Sequence, residues 1–359
     1  MVLKNWSLTA VFFLVLLSAN ARQTNYKIVA YYSGDSATLL QYDLGRITHL
    51  IYGFGHLDSL GKFAVFRAKD TAALKAFQII KRRYPHLKTM IALGGWGGCR
   101  PCSGTFSHPD SIEQFSASVK NFLADFRLDG IDLDWEYPAI QGVPGHPFSP
   151  ADQQNFTSLV VSLRKKLGAK KLVTFAAGGF QYYLNESVEW QKIAGTVDFV
   201  NLMTYDLVHG YSTKTGHQSS LYSAAPDEES VERAIRFFRK INFPLRKIVV
   251  GVPFYVRAFQ VDTAINNGLF QPGKFLFMSG YRWNTDSLSA SSGFIQYWDE
   301  HAAAPYWFNK DRKLFVTGDN KRSLQLKTEY IRQNHLGGIM FWELFYDTFK
   351  SGLLNDIRF

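Results

Sequence analysis

Apolar and polar positions along the chain follow two rhythms in alternation. Short runs rich in Ile, Val, Leu and Tyr, ending in small or turn residues, predict strands over 27–32, 47–55, 88–95, 130–136, 171–179, 197–206, 247–254 and 337–344. Between several of them apolar residues recur at three- and four-residue steps, over 112–128, 152–167, 228–241 and 323–334, the spacing of amphipathic helices. Eight strands alternating with helices predict an α/β fold, a closed (β/α)8 TIM barrel. The near-continuous apolar character of several strands fits a parallel sheet covered on both faces. A doubly wound open sheet is the alternative. No Gly-x-Gly-x-x-Gly follows the first strand, which argues against its nucleotide-binding version.

One interval breaks the rhythm. More than sixty residues separate GVPFYVRAF (251–259) from the helix near Ser323, and they hold Trp283, Trp298 and Trp307 among many turn residues. That length exceeds an ordinary strand-to-helix loop. It predicts a subdomain over 260–318, inserted after the seventh strand at the mouth of the barrel.

The stretch DGIDLDWEYP (129–138) carries Asp129, Asp132, Asp134 and Glu136, and Ile131, Leu133 and Trp135 alternate with the last three. Side chains two apart on a strand share a face. The apolar set suits the helix layer, so Asp132, Asp134 and Glu136 are expected to point into the barrel. At about 6.6 Å per same-face step the row climbs from mid-barrel to the C-terminal mouth, where barrel active sites sit. Crowded, desolvated carboxylates cannot all ionise freely, so at least one pKa rises, as a general acid near neutral pH requires. A calcium loop needs Gly after its third acid, and Trp135 stands there. A row of satisfied polar core residues is the remaining non-catalytic alternative.

Composition changes the picture modestly. The chain has 359 residues, and at 46% hydrophobic it has enough apolar material for one large core. Its first residues, MVLKNWSLTAVFFLVLLSANA, pair Lys4 with an apolar run from Leu8 to Leu17 and end in Ala19-Asn20-Ala21. That pattern predicts a signal peptide over 1–21, cleaved after Ala21, and a secreted, extracellular or periplasmic protein with no membrane segment after cleavage. The run is short for a membrane anchor. Cys99 and Cys102 are the sole cysteines, in Cys-Arg-Pro-Cys. Zinc would need further ligands nearby and a redox site a thioredoxin-like context, so a local disulfide is expected, with no metal and no cofactor. The net charge of +10 is scattered, with short clusters such as Lys81-Arg82-Arg83 and Lys165-Lys166, and no nucleic-acid module accompanies it. Asn155-Phe-Thr157 and Asn185-Glu-Ser187 match glycosylation sequons.

The motif Asp129-x-x-Asp132-x-Asp134-x-Glu136-Tyr137-Pro138 resembles the strand-four signature of family 18 glycoside hydrolases, the chitinase family. Tyr31 in AYY, Phe54 in YGFG, Gly94-Gly95-Trp96, Met203-Thr204-Tyr205-Asp206, Arg257 after GVPFY and Trp342 in MFWEL agree in order. The likeness covers residues 22–359, and the insertion resembles the α+β subdomain of one chitinase subgroup. It implies Glu136 as general acid and then base. It implies that Asp134 shares a proton with Asp132 and turns to hold the substrate acetamido N–H, and that Tyr205 holds the same group. Met203 and Asp206 resemble floor residues of the −1 sugar site, Trp342 the indole beneath that sugar, Trp96 a platform on the leaving-group side, and Arg257 a contact toward the insertion. Tyr31, Phe54 and Tyr137 complete the implied substrate-binding set. The partner implied is chitin or chitooligosaccharide, bound by a monomer. Alternatives are an endo-β-N-acetylglucosaminidase acting on N-glycans and a chitin-binding lectin of the same fold, whose relatives lack the acid at the Glu position. Ala92 stands where the family usually has Ser, so Asp132 is expected to lean more on Tyr31 or water.

Overall fold

The computed structural model describes residues 26–284 and 287–359. The leader expected over 1–21 lies outside the described residues. Fourteen strands are formed there: β1 Lys27–Tyr32, β2 His49–Leu57, β3 Phe63–Ala64, β4 Lys88–Gly94, β5 Gly130–Asp134, β6 Leu172–Gly178, β7 Val200–Met203, β8 Ile248–Pro253, β9 Tyr255–Val261, β10 Gly273–Gly280, β11 Ile295–Asp299, β12 Ala304–Asn309, β13 Leu314–Thr317 and β14 Gly338–Trp342. Strands β1, β2, β4, β5, β6, β7, β8 and β14 pair in parallel. The β1–β14 and β1–β2 pairings close them into an eight-stranded barrel, and β3 adds a short hairpin to β2.

Parity sorts each strand into two layers. Val29 and Tyr31 of β1 point inward with Ile51, Met90, Ala92, Phe199 and Met340, while Ile28, Ala30 and Tyr32 pack outward against the helices. The same rule places Ile131, Leu133 and Trp135 in the outer layer and leaves Asp132 and Asp134 inside, both buried. Helices Ala68–Arg83, Pro109–Asp125, Asp152–Leu167, Val231–Lys240 and Lys321–Gln333 cover the barrel. Among the described residues no helix is long and apolar enough to cross a membrane.

Two boundaries differ from the sequence expectation. Strand β5 ends at Asp134, so Glu136 sits just past the strand rather than on it. The inserted sheet starts at Tyr255, not at 260. Only Phe254 separates β8 from β9, and the apolar run gives no sign that the chain changes sheets there. The insertion is a five-stranded antiparallel sheet in the order β10-β9-β13-β12-β11, with a short helix at Tyr281–Asn284. Its two faces bury separate clusters, one around Val256, Trp307 and Val316, the other around Phe259, Phe308 and Phe315.

Candidate active site

The deepest carboxylate is Asp132. Tyr31 donates its hydroxyl to Oδ2 at 2.6 Å, and Thr174 and Asn201 donate to Oδ1 at 2.5 and 3.0 Å. Asn201 also reaches the Tyr31 hydroxyl at 3.2 Å. Burial pushes the Asp132 carboxyl up to about 6, while these three donors pull it the other way. Ala92 lies directly across the ladder from Asp132. The support a serine would give at Ala92 thus comes instead from β1, β6 and β7. Thr174 and Asn201 were missed in the sequence, although each is a lone polar side chain at inward parity in an otherwise apolar strand.

Asp134 lies one same-face step nearer the mouth. Its Oδ1 is buried without a protein hydrogen-bond partner. Burial first, then the charges of Glu136 and Asp132, hold it well above the usual carboxylate range. Burial also pushes Glu136 up to about 7; a hydrogen bond from Tyr137 opposes this and the charge of Asp206 adds to it. Asp132, Asp134 and Glu136 therefore form a buried row in which every carboxyl is raised, Asp134 by burial and by the charges of both its neighbours.

The wall opposite is built from β7 and the insertion. Asp206 adopts a left-handed backbone with φ of 56°. Arg257 grips its carboxylate at both oxygens, Nε to Oδ1 at 2.6 Å and the terminal nitrogen to Oδ2 at 2.7 Å, and the Tyr255 hydroxyl adds 2.6 Å to Oδ1. Tyr205 is buried, its ring edge-on to Tyr255 and its hydroxyl 3.9 Å from the Met340 sulfur. Met203 lines the interior beside it. The family-based reading did not include Tyr255.

The floor is aromatic. Trp342, at the end of β14, stacks on Phe54 with centroids 5.5 Å apart and planes 13° from parallel, and tilts against Tyr31 at 5.7 Å. Glycines make room for this. Gly94 and Gly95 have φ of 101° and 76°; a Cβ on the first would sit 2.4 Å from the Asp134 carbonyl oxygen and one on the second 2.4 Å from the Phe54 ring. Trp96 follows them and projects outward, 52% exposed. It meets Tyr137 at 6.3 Å and the exposed Tyr211 at 6.5 Å. Cys99 and Cys102 are joined as a disulfide in the adjoining loop. The structure brings Asp134, Glu136, Tyr137, Phe54 and Trp342 to the barrel mouth above Tyr31 and Asp132, with Tyr205, Asp206 and Arg257 across from them and Trp96 at the rim.

Fold and site together define a (β/α)8 barrel with a carboxylate row at its mouth and an inserted sheet forming one wall. The chain belongs to the glycosyl hydrolases family 18, whose pattern matches residues 27–347. Chitinase A1 of Niallia circulans is 34% identical over 307 residues, covering 78% of this chain and 43% of that protein. The human oviduct-specific glycoprotein is 29% identical over 370 residues, covering 96% of this chain and 54% of its own. The chain thus spans about half the length of these curated relatives. A solved family 18 N-acetylglucosaminidase from Paenibacillus barengoltzii is 32% identical with a TM-score of 0.83, covering 93% of this chain and 99% of that one.

Proposed function

We propose that the chain is an exported chitinase that hydrolyses β-1,4 bonds between N-acetylglucosamine units with retention of configuration. The observation that carries this is the Asp132–Asp134–Glu136 row, in which Glu136 stands at the mouth with its carboxyl pushed up to about 7. A protonated Glu136 donates to the glycosidic oxygen as the C1–O bond breaks. The substrate's own acetamido oxygen attacks C1 and closes a five-membered ring. Asp134, whose Oδ1 is buried without a protein partner, accepts the acetamido N–H, and Tyr205 holds the same group. Glu136, now a carboxylate, takes a proton from water, and the water oxygen reopens the ring at C1. Asp206 is a poor rival nucleophile, since Arg257 and Tyr255 occupy both of its oxygens. Trp342 on Phe54 provides an apolar floor for a sugar face, and Trp96 extends it on the leaving-group side.

The leader-like first residues support export, and we propose that the chain acts as a monomer. A lectin reading draws on the likeness to oviduct-specific glycoprotein, but Glu136 and its two neighbouring acids argue for turnover. An N-glycan endo-β-N-acetylglucosaminidase remains the second enzymatic reading, and the inserted wall favours the chitinase. Partly acetylated chitosan tests the mechanism. New reducing ends are expected to be N-acetylglucosamine alone, released as the β-anomer, and cellulose oligomers are expected to stay intact. Glucosamine at the new ends, or a sugar adduct on Asp206 after a slow fluorosugar, refutes it. Glu136→Gln is expected to lose about 10²–10⁴-fold or more in kcat while keeping oligosaccharide binding.

A further inference from the structure

The chain carries a net charge of +10, and part of it gathers at one end of the barrel. Parallel strands all start at one end, and the helices run back to finish there. Last helical turns and the loops into strands therefore share the face opposite the catalytic mouth. That face collects cations. Helix Ala68–Arg83 ends in Lys81, Arg82 and Arg83, helix Asp152–Leu167 in Arg164, Lys165 and Lys166, and helix Val231–Lys240 in Arg239 and Lys240. Favourable interaction with helix C-termini explains part of this, at about 0.3–1 kcal/mol per charge. It does not explain the cations in the loops.

Those loop cations form a track. Strands β4, β5, β6, β7 and β8 are successive neighbours in the barrel. Lys88 opens β4, Arg127 precedes β5, Lys170 precedes β6 and Arg246 precedes β8, all four exposed. At β7, Lys247 reaches across from the next loop, donating to the Ala194 and Val197 carbonyls at 2.7 and 2.6 Å. Lys171 likewise donates to the Leu128 carbonyl at 2.5 Å. Carbonyls satisfy these ammonium groups without cancelling their charge. Asp129 and Asp198, the acids beneath them, are turned to the Thr89 and Val173 N–H groups, each at 2.8 Å, and are already paired with Lys81 and Arg164. Asp43 and Asp125 are exposed at this end against the cations, and Lys166 is taken up by an ion pair with Glu113. The crowding is felt inside the barrel as well: His49 is pushed down to about 4 by burial first, then by Lys27 and Lys88.

We infer that this basal face is a binding track for a linear acidic polysaccharide, one bearing sulfate or uronate groups, and that the bound molecule keeps its catalytic mouth turned away. A run of cations across five adjacent strand starts suits a linear polyanion better than a compact one. A bilayer would call for a cluster of insertable side chains, and among the described residues Leu40, Ile79 and Phe359 are the exposed large apolar ones in the segments leading into or flanking the strand starts. Single-stranded nucleic acid would call for open stacking rings, whereas Tyr84 is covered by Arg83 at 5.3 Å, and the exposed Trp96 and Tyr211 lie at the opposite end.

The test uses the full chain on immobilised heparin, with neutral dextran as the blank. Binding is expected at about 50 mM salt and is expected to weaken about a hundredfold by about 200 mM, as release of counterions from four contacts implies. The base variant Lys88→Glu/Arg127→Glu/Lys170→Glu/Arg246→Glu is expected to bind at least about tenfold more weakly, with an unchanged circular-dichroism spectrum. A control variant makes the same charge change elsewhere, with Lys62→Glu/Lys274→Glu/Lys310→Glu/Arg312→Glu, and is expected to bind almost as wild type. Equal loss in both variants means that only net charge is read, and it overturns the proposal. So does absence of binding, or tighter binding to phosphatidylserine vesicles or DNA than to heparin. None of these outcomes depends on the chain being a chitinase.

Discussion

Glu343 follows Trp342 directly, and its carboxylate ties the end of β14 to the end of β1. It accepts the Ser33 N–H at 2.6 Å and the Ser33 hydroxyl at 2.8 Å, and it is 1% exposed. Burial pushes its carboxyl up to about 7 against the pull of these bonds, from an ordinary 4.5. The folded state therefore holds this proton longer than the unfolded chain does. Stability from this residue is fully present below the unfolded pKa and drains away as pH rises through the folded one. Ionisation near pH 7 folded and near pH 4.5 unfolded costs about 3 kcal/mol once both states are charged. Glu343→Gln removes that cost and keeps the geometry, its Oε1 accepting the Ser33 N–H and its amide donating to the Ser33 hydroxyl. The variant's stability relative to wild type is expected to improve by about 2.5 kcal/mol between about pH 5 and pH 8.5. For a chain of this length that corresponds to roughly 3–4 °C in Tm. Parallel thermal melts of both proteins at pH 5, 7 and 8.5 read the difference directly. A difference that stays flat across this range, or shrinks as pH rises, refutes the reasoning.

Two further substitutions probe the walls of the site. Arg257→Met strands the Asp206 carboxylate beside Tyr255 and is expected to cost about 1–2 kcal/mol in urea unfolding, less than a fully buried pair because Asp206 is 36% exposed. Its effect on turnover of a soluble chitooligosaccharide is expected to be larger, since Asp206 is then held by the single bond from Tyr255 and loses its fixed orientation; a variant with normal kcat refutes the positioning role. Cys99→Ser/Cys102→Ser opens a loop spanning three residues and is expected to lose below about 2 kcal/mol of stability while activity persists. Loss of all turnover in a folded double variant contradicts a purely structural bond.

Period-two and helical spacing made the barrel legible, because each strand must show one face to the interior and the other to the helices. The same parity by itself places Asp132 and Asp134 inside, since Ile131, Leu133 and Trp135 have to go outward. Other features depend on contacts between segments far apart in the chain. Thr174 serves Asp132 from the adjacent strand and Asn201 from the one beyond it, and Ser33 meets Glu343 across 310 residues. Arg257 and Tyr255 close on Asp206 only because β9 leaves the barrel at Tyr255 and folds back over its mouth. Spacing along one strand determines which side chains share a face. It carries no information on what a second strand brings to within hydrogen-bonding distance, because register and closure are properties of the whole sheet. The arc of basal cations belongs with these. Scattered Lys and Arg in the sequence become one surface only when parallel strands gather their starting ends at the same face.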